Sequence, residues 1–278
     1  MERLFSPSRS KSSAGGFSRA DRTNRKGTAL DTTTIIVVAA IAFLTGGTIK
    51  GLVGIGLPTA ALALMTLSLD PRTAISLILF PMIGSNLWQM LRGGHLKRTA
   101  KRYWLFASVL FAGVLLTALG TQNASDRILL AALGIAVIIF VAVSWRNLLP
   151  ALPDHYDRHA QVGFGIFAGL IGGMTAAWAP PMAMYLAAKR VDKDEFVRAT
   201  GFLITIGSIP LIIAYIHLGF MTGPLAIISA SMLVPTLIGF SAGEILRRRL
   251  SAEGFRTAIL VTFLVLGLNM IRRAIWYA

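Results

Sequence analysis

Uncharged apolar stretches alternate with short charged connections along nearly the whole chain, and their lengths point to lipid as the main solvent. The stretches are Thr32–Ile49, Gly51–Leu69, Thr73–Leu91, Tyr103–Ser125, Ile128–Trp145, Ala160–Ala188, Ala199–Ile216, Leu218–Gly243 and Thr257–Ile271. A spanning helix needs about 20 residues, in a range of roughly 17–25. Thr73–Leu91, Tyr103–Ser125, Ile128–Trp145, Ala199–Ile216 and Leu218–Gly243 meet that length directly. Thr257–Ile271 is shorter, but Arg272 and Arg273 can snorkel to the interface and extend it.

Two stretches fit a simple span poorly. Ala160–Ala188 is too long for one straight crossing and too short for two, and it contains Gly169, Gly172, Gly173, Pro180 and Pro181. Gly51–Leu69 opens on Gly51, Gly54, Gly56 and Pro58. Such Gly/Pro-interrupted apolar segments, at corresponding positions of two halves, mark the binding sites of many transporters. Both are therefore expected to dip into the membrane and return, with helix broken at these glycines.

The halves do correspond. Gly51-Leu-Val-Gly54 matches Gly169-Leu-Ile-Gly172, Arg72-Thr-Ala74 matches Arg198-Ala199-Thr200, and Gly94 and Gly219 close the long stretches that follow. A duplicated unit leaves similarities ordered in this way, with repeats over about 41–147 and 160–276. The expected organisation is a basic disordered tail (1–31), a first membrane repeat (32–147), a linker (148–159) and a second membrane repeat (160–278).

Composition agrees with this pattern. Apolar residues make up 55% of the chain and charged residues 14%, against about 25% charged in a typical soluble domain. There is no cysteine, which removes disulfides, thiolate metal sites and thiol catalysis. The net charge of +15 does not signal nucleic acid, because the basic residues lie between long uncharged runs rather than on one soluble face. Cytosolic loops enriched in Lys and Arg account for it better. Residues 1–31 lack the apolar core of a secretory signal and are read as cytosolic. All but five Lys/Arg (Lys50, Arg72, Arg127, Arg272 and Arg273) then fall in the cytosol if Arg92–Arg102, Arg146–Arg158, Lys189–Arg198 and Arg247–Arg256 lie there with the tail. The expected fold is an all-α polytopic protein of the inner (plasma) membrane, with two pseudo-symmetric inverted repeats. It has about seven to eight transmembrane helices plus re-entrant segments. The seven-crossing version starts with Thr32–Ile49 and places the N-terminus inside and the C-terminus outside.

Chemistry in the sequence is sparse. No phosphate-binding G-x-x-x-x-G-K-[ST] loop and no His-Glu-x-x-His pair occurs, and nothing calls for a cofactor or metal. No apolar stretch carries Asp or Glu in its interior, Glu244 lying at an edge, so a cation relay has little to work with. An anion, by contrast, is driven outward by the membrane potential at about 2.3 kcal/mol per charge per 100 mV. Lys50 stands inside apolar sequence, where an ionisable group is a functional candidate; the competing reading has it snorkel to the outer interface. Gly54, Gly56 and Pro58, with Gly172, Gly173 and Pro181, could expose backbone amides beside it. Ser85, Asn86 and Gln89 in one long stretch, and Thr205 and Ser208 in another, could add hydrogen bonds. Trp88, Trp178 and Tyr185 read as packing or interfacial residues.

The motifs Gly51-Leu-Val-Gly-Ile-Gly-Leu-Pro58 and Gly169-Leu-Ile-Gly-Gly173…Pro181, with Arg198-Ala199-Thr200, Gly94 and Gly219, resemble the TauE/SafE sulfite exporter family. The likeness runs from about 33 to 276. It implies a permease with two hydrophobic halves that carries sulfite, sulfonates or related organosulfur anions. Leu57 and the bulky Met174–Pro181 run depart from the family's small-residue pattern and bear on the choice of substrate. The partners so implied are a small anion and the lipid bilayer, with a homo-oligomer compatible and nucleic acid excluded. The rival expectation is a membrane-embedded accessory or assembly protein with no transport cycle of its own.

Overall fold

The computed structural model describes residues 32–53, 55–146, 151–247 and 252–276. The expected tail (1–31), Gly54 and part of the expected linker lie outside the described residues. The remainder is helical: α1 Thr32–Val53, α2 Leu57–Met65, α3 Pro71–Gly93, α4 Leu96–Gly120, α5 Asp126–Arg146, α6 Asp157–Thr175, α7 Ala179–Ala188, α8 Lys193–His217, α9 Gly223–Ser231, α10 Leu233–Arg247 and α11 Ala252–Trp276. Six segments are long and apolar enough to cross a membrane: α1, α3, α4, α5, α8, and α9 with α10. Large apolar side chains on the outer helices, such as Leu116, Ile227 and Val234, are exposed, as expected where lipid replaces water.

The helix connections gather at two ends of the bundle. At one, Arg72 of α3 donates to the carbonyls of Gln122 and Ala124, both at 2.6 Å, and its guanidinium lies 4.9 Å from the Phe220 ring. At the other, His95 before α4 and Arg98 and Arg102 in its first turns face Asp192 before α8 and Glu195 and Arg198 in its first turns. Lys189, after α7, reaches back to Asp154 (2.7 Å) and Asp157 (3.4 Å), at the start of α6. That ion pair holds the Asp154 carboxyl below the usual carboxylate range. The second end carries most of the basic residues between helices, as a cytosolic face should.

Helices α3 and α8 run between these ends in the interior. Each starts on a capping aspartate: Asp70 accepts from the Thr73 N–H at 2.9 Å and Asp192 from the Glu195 N–H at 2.8 Å. Each finishes at a glycine in the left-handed region, Gly94 (φ 65°) and Gly219 (φ 72°), so the matching glycines found in sequence serve as helix stops.

The expectation that glycines break the apolar stretches holds at Gly56 and is corrected for Gly51, Gly169, Gly172 and Gly173. Gly51 lies within α1, and Gly169, Gly172 and Gly173 lie within α6. They are small because other helices come too close for a side chain. A Cβ on Gly47 or Gly51 would collide with the carbonyls of Thr236 or Phe240 in α10, and one on Gly239 or Gly243 with those of Leu44 or Thr48 in α1. On the other side of the bundle, a Cβ on Gly169 would sit 2.8 Å from Gly113 Cα, and one on Gly173 2.7 Å from the Val114 carbonyl. Such small-residue seams bring membrane helices together in place of a hydrophobic drive. The chain breaks instead before α2, where Gly56 has φ 103°, and at Ala176 (φ 58°) before α7. Pro58, and Pro180 with Pro181, then occupy the first turns, where a missing N–H does no harm.

These seams also set direction. Residues 44–51 of α1 pair in rising order with 236–243 of α10, so the two helices are parallel. Because α10 continues α9, which starts beside Phe220 at the Arg72 end, α1 starts at that end too. This overturns the seven-crossing scheme, which placed the start of α1 beside the basic loops. Hydropathy reports that an apolar helix is present and carries no information on which way it enters. The short helices α2 and α7 fold back along α1 and α6, forming two hairpins.

The stretch Leu218–Gly243, expected as one span, is matched by a single crossing segment of α9 with α10, whose helix begins at Gly223 and is interrupted at Met232, three residues before Pro235. A second proline has a different remedy. Pro81 inside α3 leaves the Leu77 carbonyl without its usual helical donor. The Ser229 hydroxyl of α9 donates to that carbonyl at 2.8 Å and accepts from the Phe80 N–H at 3.3 Å. Ser229→Ala should therefore destabilise the protein by about 1 kcal/mol, read as a lower melting temperature in detergent. An unchanged melting temperature would mean the bridge does not hold α9 to α3.

Candidate functional site

Lys50 is 1% exposed and among the largest fully buried side chains. It does not snorkel. Its position three residues before the end of α1 sets it at the break between α1 and α2, where α1 packs on α10 and leaves Lys50 facing α3. Its Nζ donates to Ser85 Oγ at 3.1 Å, and Ser85 in turn donates to the Met82 carbonyl at 3.3 Å. Among the described residues this is its one hydrogen bond, and no carboxylate pairs with it. An ammonium has three donors, so two N–H groups remain for a ligand.

The polar stripe on α3 extends one turn from Ser85. Asn86 donates to the Met82 carbonyl at 2.7 Å. Gln89 donates to the Val197 carbonyl at 2.9 Å and to Thr200 Oγ1 at 3.1 Å, linking α3 to α8. All three stripe residues are at most 5% exposed. The side-chain oxygens of Asn86 and Gln89 have no hydrogen-bond partner among the described residues, and buried acceptors left open in this way are uncommon. A cation donor and two open acceptors thus lie along one turn of α3, at the seam with α8. Gly201 allows the close approach there, since a Cβ on it would meet the Met90 backbone nitrogen at 3.1 Å.

The other residues singled out in sequence fall into four groups. Gly54 lies outside the described residues. Gly56 and Pro58 form the left-handed entry to α2 and its first turn, both buried, so the first-turn amides of α2 open towards the chain break. Pro181 has the same place in α7. Gly172 and Gly173 serve packing: a Cβ on Gly172 would sit 2.5 Å from the Trp178 ring, which folds back over it. Thr205 and Ser208 are buried but donate to carbonyls of their own helix, Gly201 (2.7 Å) and Ile204 (2.6 Å). The structure therefore joins Lys50, Ser85, Asn86 and Gln89 and leaves Thr205 and Ser208 outside their hydrogen-bonded group.

One partner was missed. Thr200 is fully buried and anchors Gln89, and the match of Arg198-Ala199-Thr200 to Arg72-Thr-Ala74 was the signal that could have found it. Trp178 and Tyr185 are buried and Trp88 is half exposed. Tyr185 donates to Asp157 at 2.8 Å and stacks edge-on to Tyr103, which donates to Glu195 at 2.5 Å. These aromatics tie the basic ends of α4, α6, α7 and α8 together and stand apart from Lys50.

The arrangement can hold a small anion by one cationic donor in a dry interior, with no metal-binding cluster among the described residues. No curated protein and no solved structure matches the chain. A family model does match, over residues 38–270, and covers every buried residue of the site just described. With its apolar crossing helices and its length matched almost throughout, the chain belongs to the sulfite exporter TauE/SafE family, a family of multi-pass membrane transporters.

Proposed function

We propose that this protein is a secondary carrier of the inner (plasma) membrane that exports a small sulfur-containing anion, sulfite or a sulfonate. The observation that carries the reading is Lys50, buried at a helix break with Ser85 as its hydrogen-bond partner. A lone amine in a dry interior is unfavourable as a cation, and an arriving anion and the protonated amine stabilise each other. The remaining N–H groups of Lys50 and the first-turn amides of α2 supply donors to an oxyanion. The open Asn86 and Gln89 oxygens favour a ligand that also brings an O–H or N–H group.

Two inverted repeats, α1–α5 and α6–α11, account for the packing. Each half opens with a hairpin whose long arm is seamed to a helix of the other half: α1 to α10, and α6 to α4. The corresponding helices α3 and α8 pack on one another, as do α5 and α11. On this reading each half contributes one hairpin and three crossings, giving six crossings in all, and the odd number inverts the second half. The basic end, with the α3–α4 and α7–α8 connections, faces the cytosol.

The substrate class is tested by counter-flow in proteoliposomes, with radiolabelled sulfite inside and a panel of unlabelled anions outside. Sulfite, partly protonated as hydrogensulfite, or an amine-bearing sulfonate should accelerate exchange, and sulfate and chloride, which bring no proton to the open acceptors, should do so at least about tenfold less. Equal acceleration by every anion would remove the assignment of a sulfur-anion carrier.

A further inference from the structure

Between the first turns of α4 and α8, at the basic end, lies a cleft of about 150 Å³ lined by His95, Arg98, Thr99, Arg102, Asp192, Glu195 and Arg198. Its acids are engaged within the protein. Glu195 pairs with Arg102 at 2.5 Å and accepts from Tyr103, and Asp192 accepts from the Glu195 N–H. The guanidinium groups of Arg98 and Arg198 make no hydrogen bond or close ion pair among the described residues, and Arg98 is exposed. Thr99 is 7% exposed, and its hydroxyl likewise has no hydrogen-bond partner among the described residues. The cleft therefore sets three guanidinium groups against two carboxylates, with the Arg98 and Arg198 groups not hydrogen-bonded among the described residues and one open hydroxyl, around a space the size of a small oxoanion.

The pseudo-equivalent arginine shows the contrast. Arg72, matched to Arg198 in sequence, has its guanidinium filled by two carbonyls and stacked on Phe220, the residue after Gly219. Arg198 lies instead in a cleft with His95, the residue after Gly94, where no hydrogen bond fills its guanidinium among the described residues and Asp192 only partly offsets its charge. One arginine locks its end of the bundle and the other is left open. The cleft also adjoins the buried stripe, because Val197 and Thr200, flanking Arg198, are the residues that Gln89 bonds.

We propose that this cleft is a second, outer anion site, in which Arg98, Arg198 and Thr99 bind a soluble sulfur oxoanion before it passes to the α3–α8 seam. Planar guanidinium groups donate in pairs to such oxygens and keep their charge at any physiological pH. The passage to the seam rests on the carrier reading above; the binding does not.

The test is equilibrium binding of radiolabelled sulfite to the full chain in nanodiscs of neutral phosphatidylcholine. Lys50→Met should abolish one class of bound sulfite and leave a weaker class. Adding Arg98→Gln and Arg198→Gln should weaken that residual class by about tenfold or more. Thr99→Val alone should weaken it by severalfold, and Arg198→Lys should retain part of it. Residual binding unchanged by the arginine variants, or absent in Lys50→Met alone, overturns the second site. The lipid source is separated by repeating the titration in nanodiscs containing anionic phosphatidylglycerol. Loss of the weak class there marks the cleft as a headgroup site and likewise overturns the proposal. No sulfite flux through the unaltered chain would sink the carrier reading while leaving cleft binding intact, so the two fail separately.

Discussion

Lys50→Met is expected to reduce sulfite flux to the level of protein-free vesicles, a loss of at least about a hundredfold, while the protein remains folded. Methionine keeps the length and volume of the buried side chain and removes the amine, so the α1–α3 packing is preserved. Replacing a buried ionisable group by an apolar one of similar size is often neutral or stabilising; the melting temperature should stay level or rise. Such a split, flux lost and stability kept, separates a ligand-binding lysine from one retained for packing. Ser85→Ala should fall between, since the amine keeps its place and loses a single partner, at about 1 kcal/mol. Sulfite flux in Lys50→Met equal to that of the unaltered chain would remove Lys50 from the site.

Gly239→Leu should have the largest effect on stability. The position has Leu44 carbonyl oxygen directly against it, with Thr48 backbone nitrogen at 2.9 Å from where a Cβ would stand. The obstacle is backbone on a neighbouring helix, so no rotamer change relieves it. Separation of α1 from α10 would loosen the seam that sets the direction of α1 and the depth of Lys50. A loss of about 3 kcal/mol or more is expected, the upper range for overpacking. Gly163→Leu is the control, since a Cβ there meets nothing within 4 Å, and its helix propensity should improve by about 0.5–1 kcal/mol. Melting of both variants in detergent by fluorescence-detected chromatography checks the pair. Equal stability of Gly239→Leu and the unaltered chain would show that the α1–α10 seam is not close-packed.

Much of the fold was legible because hydropathy and length report directly on crossing helices. The ends of α3 and α8 were visible as Gly94 and Gly219, since a left-handed stop favours glycine wherever it occurs. Direction was not legible, and breakage was legible only at Gly56. Gly51 and Gly169 look like breakers in a single chain, and become seam residues only once the carbonyls of α10 and the backbone of α4 are placed beside them. The true breaks fall at Gly56 and at Ala176, and an alanine at φ 58° has no signal in sequence. In the candidate site, Lys50 was conspicuous as a charge in apolar sequence, and Ser85, Asn86 and Gln89 as polar residues one turn apart. Thr205 and Ser208 looked equivalent to them, but hydroxyls can bond back to their own helix, as both do. Burial of Lys50 rather than snorkelling depended on the α1–α2 hairpin, a long-range feature.

The most direct test of an anion carrier is sulfite efflux from proteoliposomes holding the unaltered chain, with and without an imposed potential, negative on the side of the basic loops. Saturable efflux from that side, accelerated by the potential and abolished by its reversal, is the predicted result. Efflux no faster than from protein-free vesicles at either potential, with the protein intact, would contradict it.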